Sequence, residues 1–139
     1  MKKATISIIG KMGPGSIGHD GFELMTDGVY SQEDGVSTIS YRESQLTGYD
    51  GHQAVFSVEA DRVILSRGGG QIAAMIFCEK QKHNFLYETP FGSVTMGIDT
   101  HSIKKNLGSN GGDLEIVYDI EMDNMPISRN EFKIAVIAQ

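Results

Sequence analysis

Residues 113–122 read DLEIVYDIEM, and their alternation decides the fold class. Leu114, Ile116, Tyr118, Ile120 and Met122 fall on one face of an extended chain; Asp113, Glu115, Asp119 and Glu121 fall on the other. A period of two marks a strand with one buried face, because successive side chains of an extended backbone point to opposite sides. Acidic side chains in a row could be taken for a metal site. Like charges two apart on a strand usually mark a solvated face, and that simpler reading is adopted.

The same period runs outward from this stretch. NEFKIAVIA, residues 130–138, puts Phe132, Ile134, Val136 and Ala138 on one side with Glu131 and Lys133 opposite. Turn signals separate such runs. Asp34-Gly35 and Asp50-Gly51 suit two-residue turns in which both residues take positive φ, and TPFG at 89–92 suits a tight turn with Pro90 second and Gly92 fourth. The runs predict strands at about 4–9, 20–30, 36–46, 52–59, 62–67, 71–79, 83–89, 93–100, 113–122 and 130–138. Short strands joined mostly by tight turns make an all-β, antiparallel up-and-down meander. Such a meander closes into a barrel, here of eight to ten strands, and so removes its exposed edges. One segment departs from the pattern. THSIKKNLG, residues 100–108, offers Thr100 as N-cap, Ile103 and Leu107 four apart and Gly108 as a stop. It predicts one short helix over 101–107, lying across one barrel end.

Composition bounds the function. A chain of 139 residues, 40% hydrophobic and 22% charged, is expected to form one β-barrel domain over 1–139. Its net charge of −6 disfavours nucleic acid, whose binding rests on Lys/Arg contacts; the pairs Lys2-Lys3 and Lys104-Lys105 are too short to outweigh it. No run approaches the roughly 20 apolar residues that span a bilayer, and Ile6 to Ile9 is too short for a signal-peptide core. No membrane partner is expected. Cys78 is the only cysteine, so no intrachain disulfide can form, and a cytoplasmic location is the simplest expectation.

The motifs carry little chemistry. LSRGGGQIAA, residues 65–74, resembles a phosphate-gripping loop, but such a loop needs a helix N-terminus behind it. QIAAMIFCE follows instead, reads as a strand, and makes the glycines a turn or bulge. Arg67 is the better clue. In RVILSR it shares a face with Val63 and Leu65, and an inward arginine requires an anionic partner or a route to water. In TISYRE, Ile39, Tyr41 and Glu43 likewise share a face. Alternate strands of a meander run the same way, so Tyr41, Glu43, Arg67, Tyr87 and Thr89 should converge at one mouth. His52 starts the intervening strand on the face of Ala54 and Phe56 and joins them. A satisfied structural network of Glu43 and Arg67 is the plainer reading; a ligand site is the sharper one. His19, His52, His83 and His101 have no metal-ligand spacing, so neither metal nor cofactor is expected. Cys78 reads as a small core residue, and no serine sits in a G-x-S-x-G elbow.

The order Tyr41-x-Glu43, Arg67-Gly68, Tyr87-x-Thr89-Pro90-x-Gly92, Thr100 with Ile103, then Gly111-Gly112-x-Leu114-x-Ile116-x-Tyr118 resembles the YwiB-like proteins, a family of small bacterial proteins of unknown function. The resemblance runs from about Phe22 to Val136. It implies a calycin-type, lipocalin-like β-barrel and a bacterial cytoplasmic setting, and it supplies no activity. Calycins commonly carry hydrophobic ligands, although fold does not imply function. Three functions are therefore carried forward. The first is a small-molecule-binding barrel whose Arg67 and His52 take the anionic end of a ligand lying against Tyr41, Phe56, Val63 and Leu65. The second is an interaction module, a homodimer using the outward Val55, Val117, Ala135 and Ile137. The third is an enzyme with Glu43 as general base, its carboxylate favoured by Arg67.

Overall fold

The computed structural model describes residues 2–12, 22–42, 53–68 and 75–139, without the side chains of residues 11, 12, 22, 67 and 87–89. Among the described residues there are ten strands: β1 (Lys2–Met12), β2 (Phe22–Glu33), β3 (Val36–Arg42), β4 (Gln53–Val58), β5 (Val63–Gly68), β6 (Met75–Phe77), β7 (Lys82–Thr89), β8 (Gly92–Gly108), β9 (Gly111–Met122) and β10 (Met125–Ala138). They form one antiparallel sheet in the order β6-β5-β4-β3-β2-β1-β10-β9-β8-β7. The order is that of a meander bent round until its first and last strands meet. β1 and β10 pair from Ala4↔Ala138 to Met12↔Asn130. The barrel is therefore nearly closed, with its seam between β6 and β7, which follow one another in the chain. The connection from β6 to β7 extends the β7–β8 ladder, where Lys80 N donates to Thr100 O (2.8 Å) and Thr100 N donates to Gln81 O (3.1 Å).

The turns follow the residue chemistry. Asp34 and Gly35 both have positive φ, 53° and 79°, as a two-residue hairpin demands. Pro90 and Phe91 form the turn before Gly92, whose φ is 122°. The pair Asp50-Gly51 lies outside the described residues.

Alternation fills the interior. Ile6 and Ile8 of β1, Tyr30 of β2, Ile39 of β3, Phe56 of β4, Leu114 and Ile116 of β9 and Ile134 of β10 are each at most 1% exposed. Full burial of an aliphatic or phenyl side chain of this kind stabilises by about 1.5–3 kcal/mol. Phe56 sits at the centre of an aromatic stack, with ring centroids 6.2 Å from Tyr41 and 5.4 Å from Phe132.

The expected helix over 101–107 is absent; those residues continue β8, which runs unbroken from Gly92 to Gly108. Spacing misled here, because residues four apart share a face in a strand as well as in a helix. Ile103 pairs with Ile116 and Leu107 with Gly112, after a bulge between Thr100 and Ser102 shifts the register. A two-turn helix would form few internal hydrogen bonds and would be marginal, whereas the ladder to β9 satisfies the backbone throughout. Thr100 is accordingly a buried strand residue, not an N-cap. The end-capping role survives in another form. The tip of the β8–β9 hairpin folds over the end that carries the β2–β3 and β4–β5 turns. Tyr30 Oη donates to Gly108 O (2.6 Å), Gln32 Nε2 to Leu107 O (3.1 Å), and Lys105 Nζ to Ala60 O (2.9 Å).

Candidate functional site

With that end covered, the polar residues of the other half of the barrel become the candidate site. β3, β5 and β7 all run towards this second end, as expected of a meander. Tyr41 is buried, 2% exposed, and pairs with Ala54, which in turn pairs with Arg67. The backbone thus sets Tyr41, Ala54 and Arg67 in one row across β3, β4 and β5, at the parity of the buried Leu65. The side chains of Arg67, Tyr87 and Thr89 lie outside the described residues, as do Glu43 and His52 entirely. So the Glu43–Arg67 contact and the general-base role of Glu43 fall outside what the structure describes. Gly69, Gly70 and the residues 71–74 that follow them lie outside the described residues too.

A second set of residues was missed by motif reading. His83 on β7, Thr100 on β8, Tyr118 on β9 and Asn130 on β10 lie on the inner wall of four consecutive strands. Thr100 and Asn130 both pair with Tyr118. Thr100 also meets Gln81, two residues before His83, which makes His83 its diagonal neighbour. Thr100 is 1% and Asn130 4% exposed. Thr100 Oγ1, Asn130 Oδ1 and His83 Nδ1 are buried and have no hydrogen-bond partner among the described residues. Across the interior, Phe77 of β6 meets the Tyr118 ring edge-on at 4.9 Å. The signal was in the alternation: Asn130 stands two residues before Phe132, hence on its inward face.

The outer wall gathers charge. Asp99, His101 and Asp119 hold potential ligand atoms within 4.8 Å of one another, a spacing a metal ion could use. Arg129 is already bound there. Its Nε donates to Asp119 Oδ1 at 2.9 Å, its Nη2 lies 3.0 Å from His101 Nε2, and His101 Nε2 lies 2.8 Å from Asp119 Oδ2. The Arg129 hydrogen bond, aided by His101 and opposed by partial burial, holds the Asp119 carboxyl below its ordinary range. Lys82 Nζ reaches Glu121 Oε1 at 2.7 Å, and Glu115 is paired between Lys104 and Lys133. Glu115, Asp119 and Glu121 of DLEIVYDIEM thus face cations on the neighbouring strands, the ordinary arrangement of a solvated sheet face, while Asp113 pairs with Asn106 and Ala135. Among the described residues no helix is long and apolar enough to cross a membrane.

Comparison with known proteins bears on the fold. The ywiB protein from Bacillus subtilis has a crystal structure that superposes with a TM-score of 0.80 over 99% of this chain and 92% of that one, at 17% sequence identity. At that identity the similarity speaks for the barrel alone. No curated protein matches the sequence. The family described as Domain of unknown function (DUF1934) matches residues 6–134, which is nearly the whole barrel from β1 to β10. The chain belongs to the DUF1934 family.

Proposed function

We propose that this barrel binds a small organic molecule in its interior at the end opposite the folded hairpin, with Arg67 taking an anionic end of the molecule. The reading is supported by one observation above the others: the register pairs Arg67 with Ala54, a fully buried position, in the same row as buried Tyr41. An arginine at that parity needs an anion or water. A single charge-assisted hydrogen bond contributes about 1.5–3 kcal/mol, so the apolar surface around Phe56, Val63 and Leu65 must supply the remainder. Glu43, His52, Tyr87 and Thr89 complete the proposed rim, and the calycin-like barrel and cytoplasmic setting belong to the same reading. Native mass spectrometry of protein purified from its own host tests it. A co-purifying small molecule is expected with wild type and is lost with Arg67→Met; a ligand-free wild type, or a ligand retained by Arg67→Met, refutes the role of Arg67.

A second reading has its own support. Met25 and Ile137, 72% and 68% exposed, lie on the outer wall where β2, β1 and β10 adjoin. An apolar outer wall suits a second copy of the chain. Sedimentation of wild type against Ile137→Lys tests this, with a dimer that becomes a monomer as the expected result.

A further inference from the structure

We infer that the β7–β8 and β9–β10 hairpin tips dock the protein on a neutral lipid surface, with Phe91, Met122, Met125 and Ile127 entering the lipid. The contact is peripheral and needs no spanning run. It does not depend on the binding reading above.

These tips hold out apolar side chains. Phe91 in the β7–β8 turn is 99% exposed, Met125 69%, Ile127 44% and Met122 40%. Single apolar residues on a surface are ordinary, but adjoining ones mark a place of interaction. The register makes these adjoin. Met96, Met122 and Met125 stand in one row across β8, β9 and β10, and Asp123 N donates to Thr95 O (3.0 Å), which ties one tip to the other. Gly92 has φ 122°, and Asp123 and Asn124 have φ 50° and 68°. The side chains are therefore presented by formed two-residue turns.

Charge and area select the occupant. TPFGSVTMGI, residues 89–98, holds no charged residue, and MDNMPIS, residues 122–128, holds only Asp123, in a chain that is 22% charged. Lys82 of β7 and Arg129 of β10 are already bound to Glu121 (2.7 Å) and Asp119 (2.9 Å). Neither tip offers a cation to an anionic headgroup, and the net charge of −6 repels an anionic surface. A second copy of the chain is the other candidate. A stable protein interface takes about 20–30 residues from each partner, and four side chains on two turns fall far short of that. A rigid partner would also meet the exposed Phe91 at one point, whereas fluid lipid closes around it on all sides. Methionine suits such a medium, because its unbranched thioether chain adapts to irregular surroundings. The strength of such docking follows the apolar area immersed, so it is weak and reversible.

The chain contains no tryptophan, so one placed at a tip reports its own surroundings alone. Phe91→Trp is expected to shift its emission to the blue on phosphatidylcholine vesicles, and to be quenched by lipid brominated along the acyl chain. Ile137→Trp, on the outer wall, is expected to do neither. In flotation with the same vesicles wild type is expected to float. The double variant Phe91→Ser with Met125→Ser is expected to bind at least about tenfold more weakly, the scale of one such side chain withdrawn from an apolar medium. Both positions are exposed, so this variant is expected to melt close to wild type; if it does not, the tryptophan emission decides alone. Mixed phosphatidylcholine–phosphatidylglycerol vesicles are expected to bind less well, and added salt to restore the binding by screening. Unshifted emission of Phe91→Trp overturns the inference, as does a double variant that floats as well as wild type. Binding that strengthens with anionic lipid overturns it too, since cations would then lead the contact. A wild type that sediments as a dimer, is split by the double variant and does not float assigns the tips to a second copy and rejects lipid.

Discussion

At Gly112 the backbone takes φ +143°, and a Cβ built there would stand 1.9 Å from the carbonyl oxygen of Asn106. Neither the dihedral nor the overlap is relieved by turning a side chain, because the obstructing atom belongs to the backbone of the paired strand. Gly112→Ala should therefore cost about 2 kcal/mol or more. Gly108, at the end of the same hairpin, meets nothing within 4 Å, and Gly108→Ala should change stability by less than about 0.5 kcal/mol. Urea melts of the two variants give the contrast directly; equal losses would show that the β8–β9 register is not tight at Gly112. Charge makes a second prediction at this scale. Arg129 holds Asp119 below the ordinary carboxylate range. The pair thus stabilises the fold above the pKa of an unfolded aspartate, and that contribution is lost as pH falls through the lower folded value. Arg129→Gln should raise the Asp119 midpoint in an NMR titration and flatten the acid-side decline of stability. An unmoved midpoint would assign the depression to something other than Arg129.

Among the elements, the β8–β9 hairpin has the most distinctive task, since β9 stays paired with β10 as far as Gly111 while the end of β8 reaches across to Gln32 and to Ala60 of the β4–β5 turn. Few groups hold it there, and among them the buried hydroxyl of Tyr30 donates to Gly108 O at 2.6 Å. Tyr30→Phe removes that bond, and the partial one to Ser37 Oγ, while keeping the ring in the core. The expected cost is about 1–2 kcal/mol. Amide hydrogen exchange around Leu107 and Gly108 should quicken by about fivefold or more, while that of Ile8 and Ile134 follows global unfolding alone. Uniform acceleration would mean that the tip does not open on its own. This hairpin also marks where sequence reading ended. Ten strands and the turns at Asp34-Gly35 and before Gly92 were legible because alternation and turn chemistry are local: Asp34-Gly35 states its own dihedrals, and DLEIVYDIEM its own buried face. Ile103 and Leu107 were not legible, because a spacing of four fits both periods. The bulge at Thr100 and the partner strand β9 decide between them, and neither is local.

On the scale of the whole molecule, closure joins residues from opposite ends of the chain, as in Ala4↔Ala138. The row through Tyr41, Ala54 and Arg67 could be counted from parity, because β3, β4 and β5 are neighbours in sequence. In the band through His83, Thr100, Tyr118 and Asn130 parity gives the inward face of each strand, but not their meeting, which depends on the shifted register of β8. The same topology predicts how the barrel folds. Its costliest step should be the meeting of β1 and β10, because the entropy of closing so long a loop precedes any reward from the ladder. The seam between β6 and β7, in contrast, separates strands adjacent in sequence, and the connection between them is bonded to β8 through Lys80, Gln81 and Thr100. Gln139 N already donates to Lys3 O (2.8 Å), so a short glycine-rich linker can join residue 139 to Lys2. Opening the chain between Glu79 and Lys80 then makes β10 and β1 a local hairpin and places the new ends at the seam. This permutant should refold about tenfold faster than wild type. Its denaturant m-value should be unchanged, because the same surface is buried. Refolding at the wild-type rate would show that another step limits folding. A reduced m-value would show that the link from β6 to β7 is what keeps the seam together.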